Sequence, residues 1–128
     1  MKIKNIKFKA KQLNSGKWFE GDLVRLGNRV CIGGDHIKDG ITEVDPSTVC
    51  MFTGLKDKNG VEVWEHDLLT KDGSVIYEVG YEGCGFKASI KGEDEFDLNL
   101  VAVCKYDCIC GNKFDRKEGE KNDEEKNI

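Results

Sequence analysis

No apolar run in this chain approaches the roughly 20 residues that a helix needs to cross a bilayer, so a membrane-spanning helix is excluded. The start, Met1-Lys2-Ile3-Lys4-Asn5, lacks the apolar centre of a signal peptide. Together these predict a protein that stays in the cytoplasm where it is made, with no membrane partner. Six cysteines in 128 residues fall short of the roughly 8–10% that marks a disulfide scaffold, and nothing directs export, so reduced thiols are expected. An overall basic excess is also missing, since the formal net charge is −4; bulk polyanion binders are normally basic. A chain of this length fits one compact domain or two very small lobes, which excludes multidomain machinery.

The charge is nonetheless uneven. Residues 1–17 carry six lysines and no acid, residues 18–114 carry ten basic and eighteen acidic groups, and residues 115–128 carry four and six. No segment sustains a 3.6-residue apolar period, and Pro46 is the only proline. Fifteen glycines punctuate short apolar runs instead, which is the spacing of strands and turns. The fold class is therefore mainly β, a small domain of antiparallel hairpins.

Ile6, Phe8 and Ala10 alternate with Lys7, Lys9 and Lys11, a period of two that turns the apolar side chains inward and the ammonium groups to water. Val75, Tyr77, Val79 and Tyr81 repeat that rhythm, and after Glu82-Gly83 it resumes with Cys84, Phe86, Ala88 and Ile90, a β-hairpin. In Phe96, Leu98, Leu100, Val101 and Val103 the apolar parity switches near Leu100, which predicts a strand with a bulge or one buried on both sides. Asp57-Lys58-Asn59-Gly60 marks a tight turn between two strands, because Asn59 and Gly60 tolerate positive φ. Two stretches echo each other, Trp18-Phe19-Glu20-Gly21-Asp22-Leu23-Val24 and Val63-Trp64-Glu65-His66-Asp67-Leu68-Leu69. In each, a turn at Gly21 or His66 is expected, with Asp22 or Asp67 accepting backbone N–H bonds before the next strand. Residues 115–128 hold a single large apolar residue, the last one, and so predict a charged flexible tail rather than a packed element. The body divides at most into lobes 1–47 and 48–114.

Phe52-Thr53-Gly54-Leu55-Lys56-Asp57-Lys58-Asn59-Gly60-Val61-Glu62-Val63-Trp64-Glu65-His66-Asp67-Leu68-Leu69 resembles the signature of the YopX protein family of bacteriophages and prophages. Lys7-Phe8-Lys9-Ala10 with Trp18-Phe19-Glu20-Gly21-Asp22-Leu23 is similar to the family's start, and Ile109-Cys110-Gly111-Asn112-Lys113-Phe114-Asp115 to its close. His66 stands where the family has glycine, so the turn there must accommodate a side chain. Lys113 replaces an apolar residue, and the usual Asn-Pro-Glu-Leu ending is absent. The resemblance implies a small β-rich phage protein with an SH3-like barrel half, self-association, and no enzyme activity.

Candidate chemistry is sparse. Cys104, Cys108 and Cys110 form the tightest thiol cluster and, with His36 or His66, suggest a zinc site. On an extended strand, however, even the nearest two, Cys108 and Cys110, lie about 6.8 Å apart, whereas two sulfurs on one zinc are at most about 4.6 Å apart. Buried small hydrophobes are the simpler reading, with thiol redox chemistry as the remainder. Glu93-Asp94-Glu95 reads as a solvated loop, and His36 as an exposed loop histidine rather than a general base. No nucleophile elbow or phosphate loop occurs. No catalytic residue, metal or cofactor is therefore expected. The leading expectation is a non-catalytic accessory protein that binds a phage or host protein, or itself. The alternative is a nucleic-acid-binding module using Lys4, Lys7, Lys9 and Lys11, with Phe8 or Trp18 as the stacking ring. Parity opposes Phe8 in that role, and lysines on an edge strand also discourage unwanted strand pairing.

Overall fold

A computed structural model describes residues 2–93 and 95–115. The expected tail therefore lies, beyond Asp115, outside the described residues. The order of strands is β1 (Phe8–Lys11), β2 (Trp18–Leu26), β3 (Arg29–Gly33), β4 (Ile41–Glu43), β5 (Cys50–Lys56), β6 (Glu62–Trp64), β7 (Asp67–Thr70), β8 (Ile76–Glu82) and β9 (Gly85–Ile90); an α-helix, α1 (Leu100–Tyr106), precedes β10 (Cys108–Asn112). The fold is mainly β, as the glycine-punctuated alternation predicts. It divides into two compact units. The first holds the residues up to Leu55 plus Glu62–Glu65, and the second holds Lys56–Val61 and the residues from His66 onward.

In the first unit the strand order is β4-β3-β2-β1-β5-β6. β1 thus lies inside the sheet, antiparallel to both β2 and β5, and the edge-strand explanation for its lysines does not hold. Beyond β4 the chain returns to the end of β1: a bridge pairs Gln12 with Val44, and the Asp45 N–H donates to the Lys11 carbonyl at 2.8 Å. That closure wraps a core of Ala10, Ile32, Ile37 and Val44, against which Phe8, Phe19, Leu23, Val30 and Val49 pack. The fully buried Ile32 and Val44 side chains each contribute about 1.5–3 kcal/mol.

β2 runs without interruption through Gly21 and Asp22, so the first of the two echoing turns does not exist. Gly21 meets a different demand. A Cβ on it would lie 2.3 Å from the Gly33 carbonyl oxygen on β3, so glycine is required by close backbone approach in a strand interior. The Asp57–Gly60 turn forms as expected, with Gly60 at φ 83° and the Asp57 N–H donating to the Val61 carbonyl at 2.8 Å.

In the second unit the sheet order is β10-β7-β8-β9. The expected β8–β9 hairpin forms, with Tyr77 opposite Ile90, Val79 opposite Ala88 and Tyr81 opposite Phe86. The expected strand through Phe96–Val103 is corrected. Leu98 makes a bridge to Ala88, and the chain then turns into α1. Asn99 caps α1, its side chain accepting from the Ala102 N–H at 3.1 Å. Leu100 and Cys104 are buried one helical turn apart, which is the spacing of a helix face. The parity switch at Leu100 is therefore a helix start, not a bulge. The bulge falls in β10 instead, between Ile109 and Gly111. Among the described residues, no helix is long and apolar enough to cross a membrane.

Candidate functional site

Alternation from Lys7 through β1 sends Phe8 and Ala10 into the core of the first unit and Lys7, Lys9 and Lys11 to the opposite face. There the register sets Lys9 across from Glu20 and Lys11 across from Trp18 on β2, and Lys9 across from Cys50 on β5. Long side chains on neighbouring strands reach one another at this spacing. The Lys7 ammonium lies 4.7 Å from the centre of the Phe52 ring and 5.4 Å from that of Trp64. Lys9 lies 4.8 Å from Trp18 and 5.2 Å from Trp64, and Lys11 lies 5.4 Å from Trp18. Cations and rings thus alternate along the face, each contact contributing about 0.5–1 kcal/mol where exposed and up to about 2 when desolvated.

Lys7 is the most engaged of the three. It donates to both Glu62 carboxylate oxygens, at 3.0 and 2.8 Å, and pairs with Glu20 at 3.3 Å. The Glu62 hydrogen bond raises its pKa above the ordinary lysine value; burial opposes this, and Glu20 adds to it. Lys4 does not join the face. It lies on the exposed single turn Ile3–Asn5 that precedes β1. Of the two expected stacking rings, Trp18 is on this face and Phe8 is not. Sequence reasoning missed Phe52, Trp64, Glu20 and Glu62, which reach the lysines from β2, β5 and β6.

His36 is exposed, and its Nε2 sits on the Glu20 carbonyl. A carbonyl only accepts, so that nitrogen carries the proton. With Lys7, Glu20, Gly21 and Asp22 it lines a cavity of about 390 Å³. Glu93 and Glu95 are exposed, and Asp94 lies outside the described residues.

In the second unit the thiols are dispersed rather than clustered on one strand. Cys104 is on α1, and Cys108 and Cys110 are on β10. Cys104 is buried, which pushes its thiol up to about 11, with Asp57, Asp107 and Asp67 adding to the rise. Cys108 is half-buried and accepts from Asn59 Nδ2 at 3.1 Å. Cys110 is exposed, so the buried-hydrophobe reading holds for Cys104 alone of the three. His66 does occupy a turn, at φ 72°, with its ring edge-on to Phe114 at 5.0 Å. Asp67 is buried behind it and accepts from Asn112 Nδ2 at 2.9 Å.

Two further features of this unit depart from the expectations, which set Tyr81 on an inward face and gave Asp57 and Asp107 no buried role. Tyr81 is 55% exposed and is held edge-on against the half-buried Phe86, with ring centres 5.0 Å apart. Asp57 and Asp107 are both buried. Asp57 Oδ1 accepts the N–H groups of Asn59 and Val61 at 2.8 and 2.9 Å, and its Oδ2 accepts that of Ile109 at 2.9 Å. Burial alone would raise its pKa, but the backbone donors prevail and hold it below the ordinary carboxylate value.

A model of the family described as YopX protein matches residues 7–120. The chain belongs to the YopX family. The match begins at Lys7, the first of the three lysines that line the face on β1. The YopX stretch from Phe52 to Leu69 builds the β5–β6 hairpin, its Asn59-Gly60 turn and the His66 turn into β7. No curated protein matches the chain.

Proposed function

We propose that this YopX-family chain is a non-catalytic accessory protein of a phage or prophage. It acts in the host cytoplasm by binding another protein or a second copy of itself. The observation that carries this reading is the Tyr81–Phe86 pair, an aromatic surface held in fixed geometry and left open to solvent. Such rings present a large contact area with little side-chain entropy to lose, and tyrosine is enriched where proteins dock. Sedimentation velocity over a range of concentrations, alone and with phage and host proteins, tests it. Association that weakens about tenfold in Tyr81→Ser, the scale of a contact residue of about 1.4 kcal/mol, is the expected result. A monomer at every concentration that retains no partner would sink the proposal.

The alternation of lysines and rings favours a second reading, single-stranded nucleic acid on the Lys7, Lys9 and Lys11 face. It ranks lower because Lys7 is already held by Glu20 and Glu62, and because Phe52 and Trp64 are buried, which leaves their faces closed to a stacking base. Binding that falls steeply with salt and drops in Lys9→Glu would reverse the ranking.

A further inference from the structure

Asp107 ends α1. Its backbone is fully used: the N–H donates to the Val103 carbonyl at 2.9 Å, and the carbonyl accepts from the Lys58 N–H at 3.1 Å. Its side chain is not. The residue is 5% exposed, and Oδ2 has no hydrogen-bond partner among the described residues. A buried polar atom in that condition normally meets a donor, in the protein or outside it. Asp107 also lines a cavity of about 190 Å³, together with Lys71, Asp72, Ser74, Val75 and Tyr77.

Three properties of that wall restrict its occupant. The first is charge: the wall carries the carboxyls of Asp72 and Asp107 and one ammonium, that of Lys71, while Lys58 also acts on Asp107 from outside the wall. Asp72 is exposed, and its Oδ1 is taken up internally, accepting from the Ser74 N–H at 3.0 Å and from the Ser74 hydroxyl at 2.6 Å. The open acceptor capacity therefore centres on Asp107. The second is size. Drug-sized ligands occupy roughly 300–1,000 Å³, so this cavity suits one side-chain head and not a nucleotide. The third is shape. Tyr77 and Val75 supply aromatic and apolar wall, against which a planar, weakly hydrated cation packs better than a compact, strongly hydrated ammonium.

We propose that this cavity receives the guanidinium group of an arginine side chain presented by the protein partner, with Asp107 accepting its N–H groups and Tyr77 flanking its plane. The proposal rests on the reading of the chain as a protein-binding module and names the chemistry of one contact. The charge facing Asp107 comes from Lys71, Lys58 and Asp72. Burial raises the Asp107 pKa, Asp72 adds to the rise, and Lys71 and Lys58 oppose it. A bound cation favours the ionised carboxyl, so affinity falls as the pH drops through the range in which Asp107 takes up its proton.

Titration of the full chain with methylguanidinium chloride, followed by amide NMR at constant ionic strength, tests the site. Saturable shifts confined to the Lys71–Tyr77 segment and Asp107 are expected, with a dissociation constant on the order of 1 mM for so small a probe. Asp107→Asn should weaken binding at least fivefold, and the exposed change Lys71→Glu should tighten it about threefold. If Asp107→Asn does not fold, the wild-type titration and Lys71→Glu still decide the matter. Shifts that stay linear, that methylammonium reproduces with equal strength, or that are indifferent to Lys71→Glu would overturn the proposal and leave the cavity to water. If the titration fails while Tyr81-dependent association persists, only the guanidinium site falls. If association is absent but the probe still binds as expected, the protein-binding reading falls instead.

Discussion

Asp57 and Asp107 are neighbours in the second unit, 7% and 5% exposed, yet the protein solvates them in opposite ways. Around Asp57 the chain turns three backbone N–H groups inward. Around Asp107 it leaves one oxygen without a partner among the described residues and a cavity alongside. Burial is nearly equal, so burial does not separate them; the supply of donors does. A carboxyl saturated by backbone holds a fold together, while one that lacks donors weakens the fold and is available to a partner.

The largest test of that contrast is Asp57→Ala, which orphans three donors between the hairpin loop and β10. It should lower unfolding free energy by about 3 kcal/mol, read as a reduced urea midpoint at unchanged slope. A loss below about 0.5 kcal/mol would mean that the loop re-forms without its carboxyl. Next is Gly60→Ala, in the same loop. Forcing a Cβ into the left-handed region at φ 83° should cost about 1–2 kcal/mol. An unchanged midpoint would show that the loop relaxes freely.

Asp107→Asn should act in the other direction, stabilising the protein by about 1 kcal/mol near neutral pH because a poorly solvated buried charge is removed. The two carboxyls also have opposite pH signatures. The folded-state pKa of Asp57 lies below 3.8, so its contribution is complete above that value and disappears as the pH falls through the lowered one. That of Asp107 lies above 3.8, so its penalty is absent below that value and develops as the pH rises through the raised one. Stability curves of Asp57→Asn and Asp107→Asn should therefore diverge from wild type on opposite sides of pH 3.8. Parallel curves would erase the distinction. The smallest effect belongs to Asn59→Ala, which removes a side-chain bond to the Cys108 sulfur and should cost about 0.5 kcal/mol in the same urea measurement.

The Asn59-Gly60 turn was legible because its signal is local: two adjacent residues suited to positive φ between two apolar runs. The β8–β9 hairpin was legible for the same reason, since Tyr77, Val79 and Tyr81 keep a strict period of two. α1 was not, because seven residues hold less than two full helical periods, and Leu100 with Val101 reads equally well as a strand defect. Gly21 was misread as a turn because glycine signals both a sharp bend and a close approach; the Gly33 carbonyl that needs the space lies on another strand. Asp107 gave no signal at all. An acid in Lys105-Tyr106-Asp107-Cys108 resembles any solvated surface residue until Lys58 and α1 close over it.

What the order of amino acids determined unaided was the β character, the inward and outward faces of β1, and the turns at Asn59-Gly60 and His66, because alternation and φ preference act between near neighbours. Tertiary structure alone decided what each outward group meets. Glu62 reaches Lys7 from 55 residues away, and three backbone donors converge on the Asp57 carboxyl, because pairing between distant strands depends on the whole sheet register and not on any single segment.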